Sequence, residues 1–516
     1  MTQAEDQVGH SDVAPLRHKG ILIFAVMGAT IMQILDTTIA NVALPHMQTG
    51  LGATMESVTW VLTSYMVASA IITPVTGWLA ERLGVRNLFL FSVAGFVAAS
   101  VLCGAAVSIE EMVLFRILQG LSGALLAPLS QTIMFEIYPP DKSSKAMSIW
   151  GMGVMIGPIL GPIIGALLTE HLNWRWVFLV NLPVGIIAFI LLFWLLPRRP
   201  TSRRKLDFVG YGSLALGVAA LQMLLDRGHQ LDWYESGEIW IETGLMITGF
   251  WVFAVQMVTS SNPLFAREIF RDKSLMLGLM FMIVIGIVMF SSMALLPPML
   301  QGLFGYPVLD TGILLGTRGV GVLISMAISG RLMNRGVDMR IIVAVGLLIG
   351  SVSAWMMTGW SLDITNYHIA LSGMVQGLGI GLVFIPLNSL AFATLPARYR
   401  TDGASLLNLV RSLGASIGIS IMTVMLARNW QIVHSELGAS VTSSTVNAVD
   451  ASTLDRFQGL GDTIVSMADV LINRQALMVA YLNDFYLLMW ITLLAIPMVL
   501  LLDRPKPGGG APPMGE

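Results

Sequence analysis

The sequence predicts an all-α membrane protein with fourteen transmembrane helices, which form two six-helix bundles and an inserted helix pair. The chain of 516 residues is 55% hydrophobic and only 12% charged, which is too apolar for a soluble globular protein of this length. Fourteen apolar runs are each long enough to cross about 30 Å of hydrocarbon. Short motifs in the first half of the chain also return, in the same order, in the second half.

The charge pattern agrees with fourteen spans and predicts that both termini are cytoplasmic. Under this arrangement, 21 of the 29 Lys and Arg residues fall in cytoplasmic segments, five in outer segments and three inside spans. One missed or additional span would reverse this positive-inside pattern for every later segment. The predicted spans are residues 20–44, 57–80, 87–107, 112–135, 146–168, 176–196, 207–226, 239–259, 275–300, 309–330, 341–360, 368–391, 404–426 and 481–502.

The internal repeat divides these spans into two halves. Matching motifs lie eight spans apart, which leaves spans 7 and 8 as an insertion. Parallel repeats of this kind form the two bundles of secondary transporters, with the substrate site between them. The matching positions are Gly77, Leu79 and Arg82 with Gly330, Leu332 and Arg335, then Gln119 and Gly120 with Gln376 and Gly377, then Gly153 and Gly157 with Gly414 and Gly418. The predicted units are a cytoplasmic tail at 1–19, a first bundle at 20–200, the inserted pair with its linkers at 201–273, a second bundle at 274–503 that includes an outer loop at 427–480, and a disordered cytoplasmic tail at 504–516.

Two ionisable residues inside the first half have no charged counterpart in the second half. Asp36 lies in the outer half of span 1, and Arg116 lies in span 4. The repeat aligns Asp36 with Val288 and Arg116 with a position near Gly373. A charge inside a membrane helix costs roughly 2.5–3.5 kcal/mol on insertion scales, so it is usually kept for a function. We therefore expect Asp36 and Arg116 to serve a function that is specific to the first half.

The sequence also narrows the source of energy. It contains no Gly-x-x-x-x-Gly-Lys-Ser/Thr motif, so an ion gradient rather than nucleotide hydrolysis is the expected drive. No metal-ligand cluster and no nucleophilic triad stands out, and we therefore expect a transporter rather than an enzyme, without a bound metal or a nucleic-acid partner.

A set of motifs resembles the fourteen-helix drug:proton antiporters of the major facilitator superfamily over about residues 20–505. These motifs are residues 36–45 in span 1, 77–86 after span 2, 116–120 in span 4 and 153–162 in span 5. Residues 174–185 and 225–233 are similar specifically to the EmrB branch of that family. The sequence departs from the usual motifs at Glu81, Val85 and Pro162, where the family usually carries aspartate, a basic residue and glycine.

The resemblance implies a major facilitator fold and proton-coupled efflux of structurally diverse hydrophobic compounds, by alternating access, across a bacterial inner membrane. It implies no cofactor, since the proton gradient supplies the energy. It also implies a periplasmic adaptor protein and an outer-membrane channel as partners, with loop 427–480 either as the docking surface or as a cap on the pump's own mouth. Two alternatives stay open: a dedicated exporter of one endogenous lipid, fatty acid or siderophore, and a non-transporting membrane sensor or scaffold.

Asp36 and Arg116 are the predicted proton-coupling pair, because the family fold brings helices 1 and 4 together. An aspartate beside an arginine stays ionised, and a bound proton would release the arginine. The expected switch is protonated in the outward-facing state and deprotonated when drug binds from inside. The alternative is a static ion pair that fixes helix packing.

Two further groups of residues are predicted to act in gating. The antiporter motif of span 5 has a face of small residues that lets helices approach closely, and it is either a tight hinge between the bundles or ordinary packing. It consists of Gly153, Gly157, Pro158, Gly161 and Pro162. The loop after span 2 is either a cytoplasmic ion-pair latch between the bundles or plain positive-inside topology. Its residues are Gly77, Glu81, Arg82, Gly84 and Arg86.

The candidates for substrate contact lie in both halves. Arg318 and Arg411 could attract anionic groups. Met289 and Met293 belong to a methionine-rich span whose flexible side chains suit varied substrates, although packing or lipid contact is the alternative. The complete set is Asn41, Gln119, Met289, Met293, Arg318, Asn388 and Arg411.

Overall fold

The computed structural model describes residues 18–138, 143–198, 201, 205–440 and 461–501. Within these ranges the chain forms helices and turns and no strand. Fourteen helices are long and apolar enough to cross a membrane, which confirms the predicted number. We name them α1 to α14, and their bounds are Lys19–Gly50, Ser57–Leu83, Val85–Ala105, Ile109–Ile137, Lys145–His171, Trp176–Leu195, Phe208–Arg227, Gly237–Thr259, Lys273–Leu303, Val308–Asn334, Met339–Thr358, Asn366–Ala391, Arg400–Ala439 and Asp469–Leu501. The predicted tails at 1–19 and 504–516 lie outside the described residues, apart from residues 18 and 19.

The repeated glycines make the same kind of helix contact in each half. Gly157 of α5 faces α1, where an added Cβ would lie 2.7 Å from Cγ2 of Ile34. Gly414 of α13 faces α9, where an added Cβ would lie 2.5 Å from the carbonyl oxygen of Ile283. Only glycine lets two helix backbones approach so closely. The pairs α1–α5 and α9–α13 are therefore equivalent contacts, eight helices apart.

Helices α5 and α10 connect the two halves along most of their length. Gly312, near the start of α10, lies against Ile163 of α5, where an added Cβ would be 3.1 Å from Cγ1 of the isoleucine. Gly330, near the other end of α10, lies against Ser148, with an added Cβ 2.8 Å from Oγ. A shift of α5 relative to the first half would therefore be transmitted to the second half.

The inserted pair is not simply attached to the outside of the protein. Helix α7 packs against α2 on one side and α13 on the other, and Gln222 of α7 donates to Oγ of Ser416 on α13 at 2.7 Å. Helix α8 packs along α7 where Gly217 meets Gly249, and most of its surface is exposed. Thus α7 bridges the two halves and α8 lies outside it. The division of the chain into domains stays a prediction.

Three helices extend beyond the predicted spans. Helix α1 continues through Pro45 to Gly50, because one proline removes only one hydrogen bond and polar residues outside the bilayer can remain helical. The helix that contains α13 continues to Ser440, and α14 is the membrane-spanning part of a helix that begins at Gly461, ahead of Asp469. The predicted loop at 427–480 is therefore helical at both ends, and its central residues 441–460 lie outside the described part of the chain.

Candidate functional site

Asp36 and Arg116 form an ion pair inside the first half. Asp36 lies on α1 and Arg116 on α4, and both side chains are excluded from solvent. Nη1 of Arg116 donates to Oδ2 of Asp36 at 2.6 Å. The two groups are placed against each other because the bare face of α5 presses α1 into the bundle while α4 packs beside α2.

Two neutral side chains complete the surroundings of the Asp36 carboxylate. Nε2 of Gln119, one turn after Arg116 on α4, donates to Oδ1 at 2.8 Å. Nδ2 of Asn181 on α6 donates to the same oxygen at 2.8 Å. The carboxylate thus accepts hydrogen bonds from three donors on two other helices, and hydrogen bonds to a charged acceptor are among the stronger ones.

The guanidinium of Arg116 is equally well surrounded. Its Nε donates to the carbonyl oxygen of Val61 at 2.9 Å, and Nη1 also donates to Oε1 of Gln119 at 2.7 Å. The ring of Tyr65 on α2 lies 4.3 Å from the guanidinium carbon, and that of Phe178 lies 5.6 Å away. A buried arginine on the face of an aromatic ring gains further electrostatic stabilisation. Arg116 therefore has partners that would remain if Asp36 lost its charge.

The sequence predicted the Asp36–Arg116 pair but did not identify Asn181 as a hydrogen-bond donor to Asp36. Asn181 lies in the motif at residues 174–185, which points only to the family. An uncharged asparagine carries no sequence feature that predicts hydrogen bonding to a carboxylate. Gln119 as a substrate contact stays a prediction, and in this conformation its side chain belongs to the surroundings of the ion pair. Its amide is fully buried and is used by Asp36 and Arg116.

The antiporter motif presents two different faces. Gly157 and Gly161 lie against α1 beside Asp36, and the hydroxyl of Thr38 donates to the carbonyl of Gly157 at 3.3 Å. Gly153 lies against α1 one turn further along. On the other face, Pro158 and Pro162 line a small cavity of about 60 Å³ between α5, α9 and α10. Helix α5 stays continuous through both prolines.

The predicted latch residues divide between two kinds of contact. Gly77 touches Asp402 at the start of α13, where an added Cβ would lie 2.6 Å from the carboxyl carbon, so this glycine joins the halves. Arg82 stacks on Trp78 within its own helix, with its guanidinium carbon 5.2 Å from the ring centroid. Gly84 has a φ of 81°, which suits glycine, and ends α2.

Arg86 does not reach across the bundles in this structure. Its Nη2 donates to the carbonyl oxygen of Phe193 at 2.7 Å, near the end of α6 in the same half. The last carbonyls of a helix have no partner within it and readily accept from arginine. Glu81 lies half-buried in the last turn of α2. The latch between the bundles therefore stays a prediction for another state, since in this conformation Arg86 binds within its own half.

The halves are in contact on the side that the charge pattern assigns to the cytoplasm. Nε2 of Gln131 on α4 donates to Oδ1 of Asn388 on α12 at 3.2 Å. The rings of Phe135 and Phe392 meet edge to face at 4.9 Å. These contacts and that of Gly77 with α13 close the path between the halves on this side.

On the opposite side the halves separate around a cavity of about 440 Å³. It is lined by residues of α1, α2, α7, α9 and α13. Leu62, Met66 and Met293 contribute apolar surface, and Asn41 and Ser420 contribute polar groups. Ligand pockets of about 300–1,000 Å³ with mostly apolar walls are typical of small-molecule sites.

The predicted substrate residues fall into three locations. Asn41 and Met293 line the large cavity, while Met289 and Arg318 line the small one with Met293. Nη2 of Arg318 donates to the carbonyl oxygen of Met289 at 3.0 Å. Asn388 is used in the closed interface, and Nη2 of Arg411 donates to Oδ1 of Asn408 at 2.9 Å. Neither Asn388 nor Arg411 lines either cavity in this conformation.

The sequence analysis also missed a buried carboxylate in the second half. Asp484 of α14 is excluded from solvent, and neither carboxyl oxygen has a hydrogen-bond partner among the described residues. Its position in an apolar span could have marked it by the same cost that marked Asp36. Over the residues that the structure describes, no group of three or more His, Cys, Asp or Glu side chains could hold a metal ion.

Comparison with known proteins agrees with this architecture. Residues 26–419 match the sequence model of the family described as "Major Facilitator Superfamily". The chain is 33% identical over 496 residues to "Multidrug export protein EmrB" of Escherichia coli strain K12, covering 95% of this chain and 96% of that protein. It is 32% identical over 491 residues to "Fatty acid resistance protein FarB" of Neisseria gonorrhoeae, covering 93% of this chain and 96% of that protein.

A solved structure shares the fold. The human organic anion transporter MFSD10 (TETRAN) superposes with a TM-score of 0.56 at 14% sequence identity, covering 92% of this chain and 100% of that chain. At this identity the likeness concerns the fold alone.

Proposed function

Because the chain belongs to the Major Facilitator Superfamily, we propose that it exports structurally diverse hydrophobic compounds in exchange for protons, by alternating access. It is a multi-pass protein of the bacterial inner membrane and a transporter rather than an enzyme. The observation that carries the proposal is the buried Asp36–Arg116 pair in a protein whose halves meet at one end and enclose a cavity of about 440 Å³ towards the other.

The pair provides a means to couple protons to movement. A proton on Asp36 removes the charge that holds Nη1 of Arg116, while the bonds from Arg116 to Val61 and Gln119 persist. Helix α1 is then held less tightly to α4 and can shift relative to it. Because Gly157 presses α5 onto α1, and α5 packs against α10, that shift reaches the interface between the halves.

The geometry changes the expected order of events. With the termini cytoplasmic, the large cavity faces outward, and the ion pair is intact in this same arrangement. The sequence-based expectation coupled the outward-facing state to a protonated Asp36. We infer instead that the cavity opens outward first and that protonation follows and breaks the pair.

The cavity wall supports a broad rather than a narrow substrate range. Its apolar part includes methionine side chains at Met66 and Met293, which adapt to ligands of different shape. The names of two relatives indicate different substrate ranges. One is described as a multidrug export protein and the other as a fatty acid resistance protein. A dedicated fatty acid exporter is therefore the second candidate.

Transport in proteoliposomes separates these functions. We expect wild-type protein to accumulate two chemically unrelated hydrophobic compounds only when a pH gradient is imposed, and each compound should compete with the other. Asp310→Asn, at an exposed position in the first turn of α10, should behave like wild type. Movement of a fatty acid but of neither compound would favour the dedicated exporter, and movement of none would favour a sensor or scaffold.

The ends of α13 and α14 support a proposed docking site for a periplasmic adaptor, which would connect the pump to an outer-membrane channel. Helix α13 has 40 residues, about 60 Å at 1.5 Å per residue, whereas the hydrocarbon is about 30 Å thick. Nε2 of His434 lies 3.1 Å from Oδ1 of Asp469, and Asn473 donates to the same carboxylate at 3.0 Å. The two helices are thus held together beyond the membrane.

Co-purification tests this docking site. Replacing the exposed Trp430 and Ile432 of α13 by serine should reduce recovery of the adaptor protein from the same organism. The matched control is Tyr234→Ser, an exposed aromatic residue in the turn between α7 and α8. Equal recovery with all three proteins would argue that α13 caps the pump's own mouth instead.

A further inference from the structure

Helix α7 has a position that the two six-helix bundles do not require. It lies between α2 of the first half and α13 of the second, where Gln222 both donates to and accepts from Ser416, at 2.7 and 2.9 Å. Three residues of α7 line the cavity of about 440 Å³, namely Gln222, Leu225 and Asp226. Two residues of the turn that follows, His229 and Gln230, also line it. An inserted helix therefore forms one wall of the space in which substrate would bind.

That wall carries the one carboxylate found among the described residues that line the cavity. Asp226 is exposed to the cavity, and among the lining residues no other side chain is an acid, a lysine or an arginine. The hydroxyl of Thr63 on α2 donates to Oδ2 of Asp226, which fixes the carboxylate at the α2–α7 boundary. His229, one turn further on, is the one other titratable group in the lining.

The neighbouring arginine has its own acidic partner on α8. Nη1 of Arg227 pairs with Oε1 of Glu238 at the start of α8, and its guanidinium carbon lies 5.1 Å from the ring centroid of Trp60. Arg227 does not line the cavity. Of these two neighbours in the sequence, only Asp226 has a side chain in the cavity lining, although Arg227 lies close enough to interact with its charge.

We propose that Asp226 binds the positive centre of amphipathic organic cations and makes these a preferred substrate class of the exporter. This inference rests on the proposed export function and names one of its substrate classes. The apolar body of such a ligand would lie against Leu62, Met66 and Met293, and its charge would lie against the carboxylate at the α2–α7 boundary. Attraction between opposite charges is strengthened where apolar walls exclude water.

A matched pair of ligands separates charge recognition from general binding. Tetraphenylphosphonium carries a fixed positive charge, and triphenylphosphine oxide is an apolar, uncharged compound of related shape. We measure equilibrium binding of each to purified full-length protein in nanodiscs. Asp226→Asn should weaken binding of the cation by about five- to tenfold, the range of one partly exposed charge pair, and leave binding of the oxide unchanged.

Two controls separate this role from a structural one. Asp232→Asn removes the same charge from the exposed turn that follows α7, outside the cavity lining, and should change neither affinity. Thr63→Val removes the hydrogen bond to α2 but keeps the carboxylate, so cation binding should survive. An equal loss for both ligands in Asp226→Asn and in Thr63→Val would show that Asp226 serves packing, and the inference would be overturned.

An added charge provides a test that does not depend on the folding of the Asp226 variant. Gln230→Glu places a second carboxylate on the same wall, at an exposed position, and should tighten cation binding without affecting the oxide. Unchanged cation binding would contradict the inference. Failure of the proposed function is distinguishable, because it appears as absent proton-driven transport by wild-type protein, whereas these measurements require no transport.

Discussion

The two halves share a frame but differ in the charges that the frame holds. The glycine contacts of α5 on α1 recur in α13 on α9. In the first half this frame encloses Asp36, whose carboxylate accepts from three donors. In the second half Val288 occupies the matching position, and the buried carboxylate is Asp484 on α14, with no hydrogen-bond partner among the described residues. Duplication thus preserved the packing, and the ion pair was built into one half only.

The buried arginines differ in the same way. Arg318 follows Tyr65 by 253 residues, the same interval that separates Gly77 from Gly330. Tyr65 supports Arg116 with its ring, whereas Arg318 reaches the carbonyl of Met289. In the part of the chain that the structure describes, no carboxylate forms an ion pair with Arg318. The first half therefore holds a paired acid and cation, and the second half has a cation without a matching acid among the described residues.

Removing an arginine from each half should have the largest effect in the first. Arg116→Gln leaves the Asp36 charge buried without a cation, which should lower the free energy of unfolding by about 3–5 kcal/mol. Arg318→Gln removes one hydrogen bond to a carbonyl, worth about 1 kcal/mol. Thermal unfolding in detergent measures both. Equal losses would contradict the difference between the halves, and the double variant Asp36→Asn with Arg116→Gln should recover most of the stability.

A smaller loss is expected from the neutral partner of the pair. Asn181→Ala removes one hydrogen bond to an ionised carboxylate, which should cost about 1.5–3 kcal/mol. The control is Asn473→Ala, whose amide donates to an exposed aspartate beyond the membrane and should cost little. If Asn181→Ala unfolds at the wild-type temperature, Arg116 and Gln119 suffice to hold Asp36.

The shared frame predicts equal effects at matching glycines. Gly157→Ala and Gly414→Ala each force a Cβ into the neighbouring helix, and overpacking of this kind costs about 1–3 kcal/mol. Gly28→Ala is the control, because nothing lies within 4 Å of its added Cβ. The unfolding temperature should fall for the first two variants and not for the third. A loss at Gly157 without one at Gly414 would mean that the two contacts are not equivalent.

The smallest effect is expected at the second buried carboxylate. Asp484→Asn removes an acid that has no partner to lose, so stability should stay the same or rise. Unfolding of this variant can be compared directly with that of Asp36→Asn. A larger loss at Asp484 than at Asp36 would contradict the view that only the first half depends on a satisfied carboxylate.

Residue chemistry explains what the sequence could predict. The fourteen spans were recognisable because apolar length must match the thickness of the hydrocarbon. The ends of α1, α13 and α14 were not, because hydropathy records contact with lipid and a helix can continue into water. Asp36 and Arg116 were found because an intramembrane charge is costly and therefore conspicuous.

The remaining site residues depend on geometry that composition does not record. Asn181 and Gln119 are uncharged, and which of many polar side chains points at Asp36 depends on how α4 and α6 are rotated. Arg86 could bind any carbonyl or carboxylate within reach, and the end of α6 happened to provide one. Asp226 was visible in a motif, but its exposure to a cavity follows only from the placement of α7 between the halves.

Proton release on substrate binding tests the central claim most directly. Purified protein in a weakly buffered suspension of proteoliposomes receives substrate, and the change in external pH is recorded for wild type, Asp36→Asn and Arg318→Gln. The account predicts substrate-driven proton exchange by wild type and by Arg318→Gln, and none by Asp36→Asn, whose side chain cannot ionise. Exchange of substrate for protons by Asp36→Asn at the wild-type rate would contradict it.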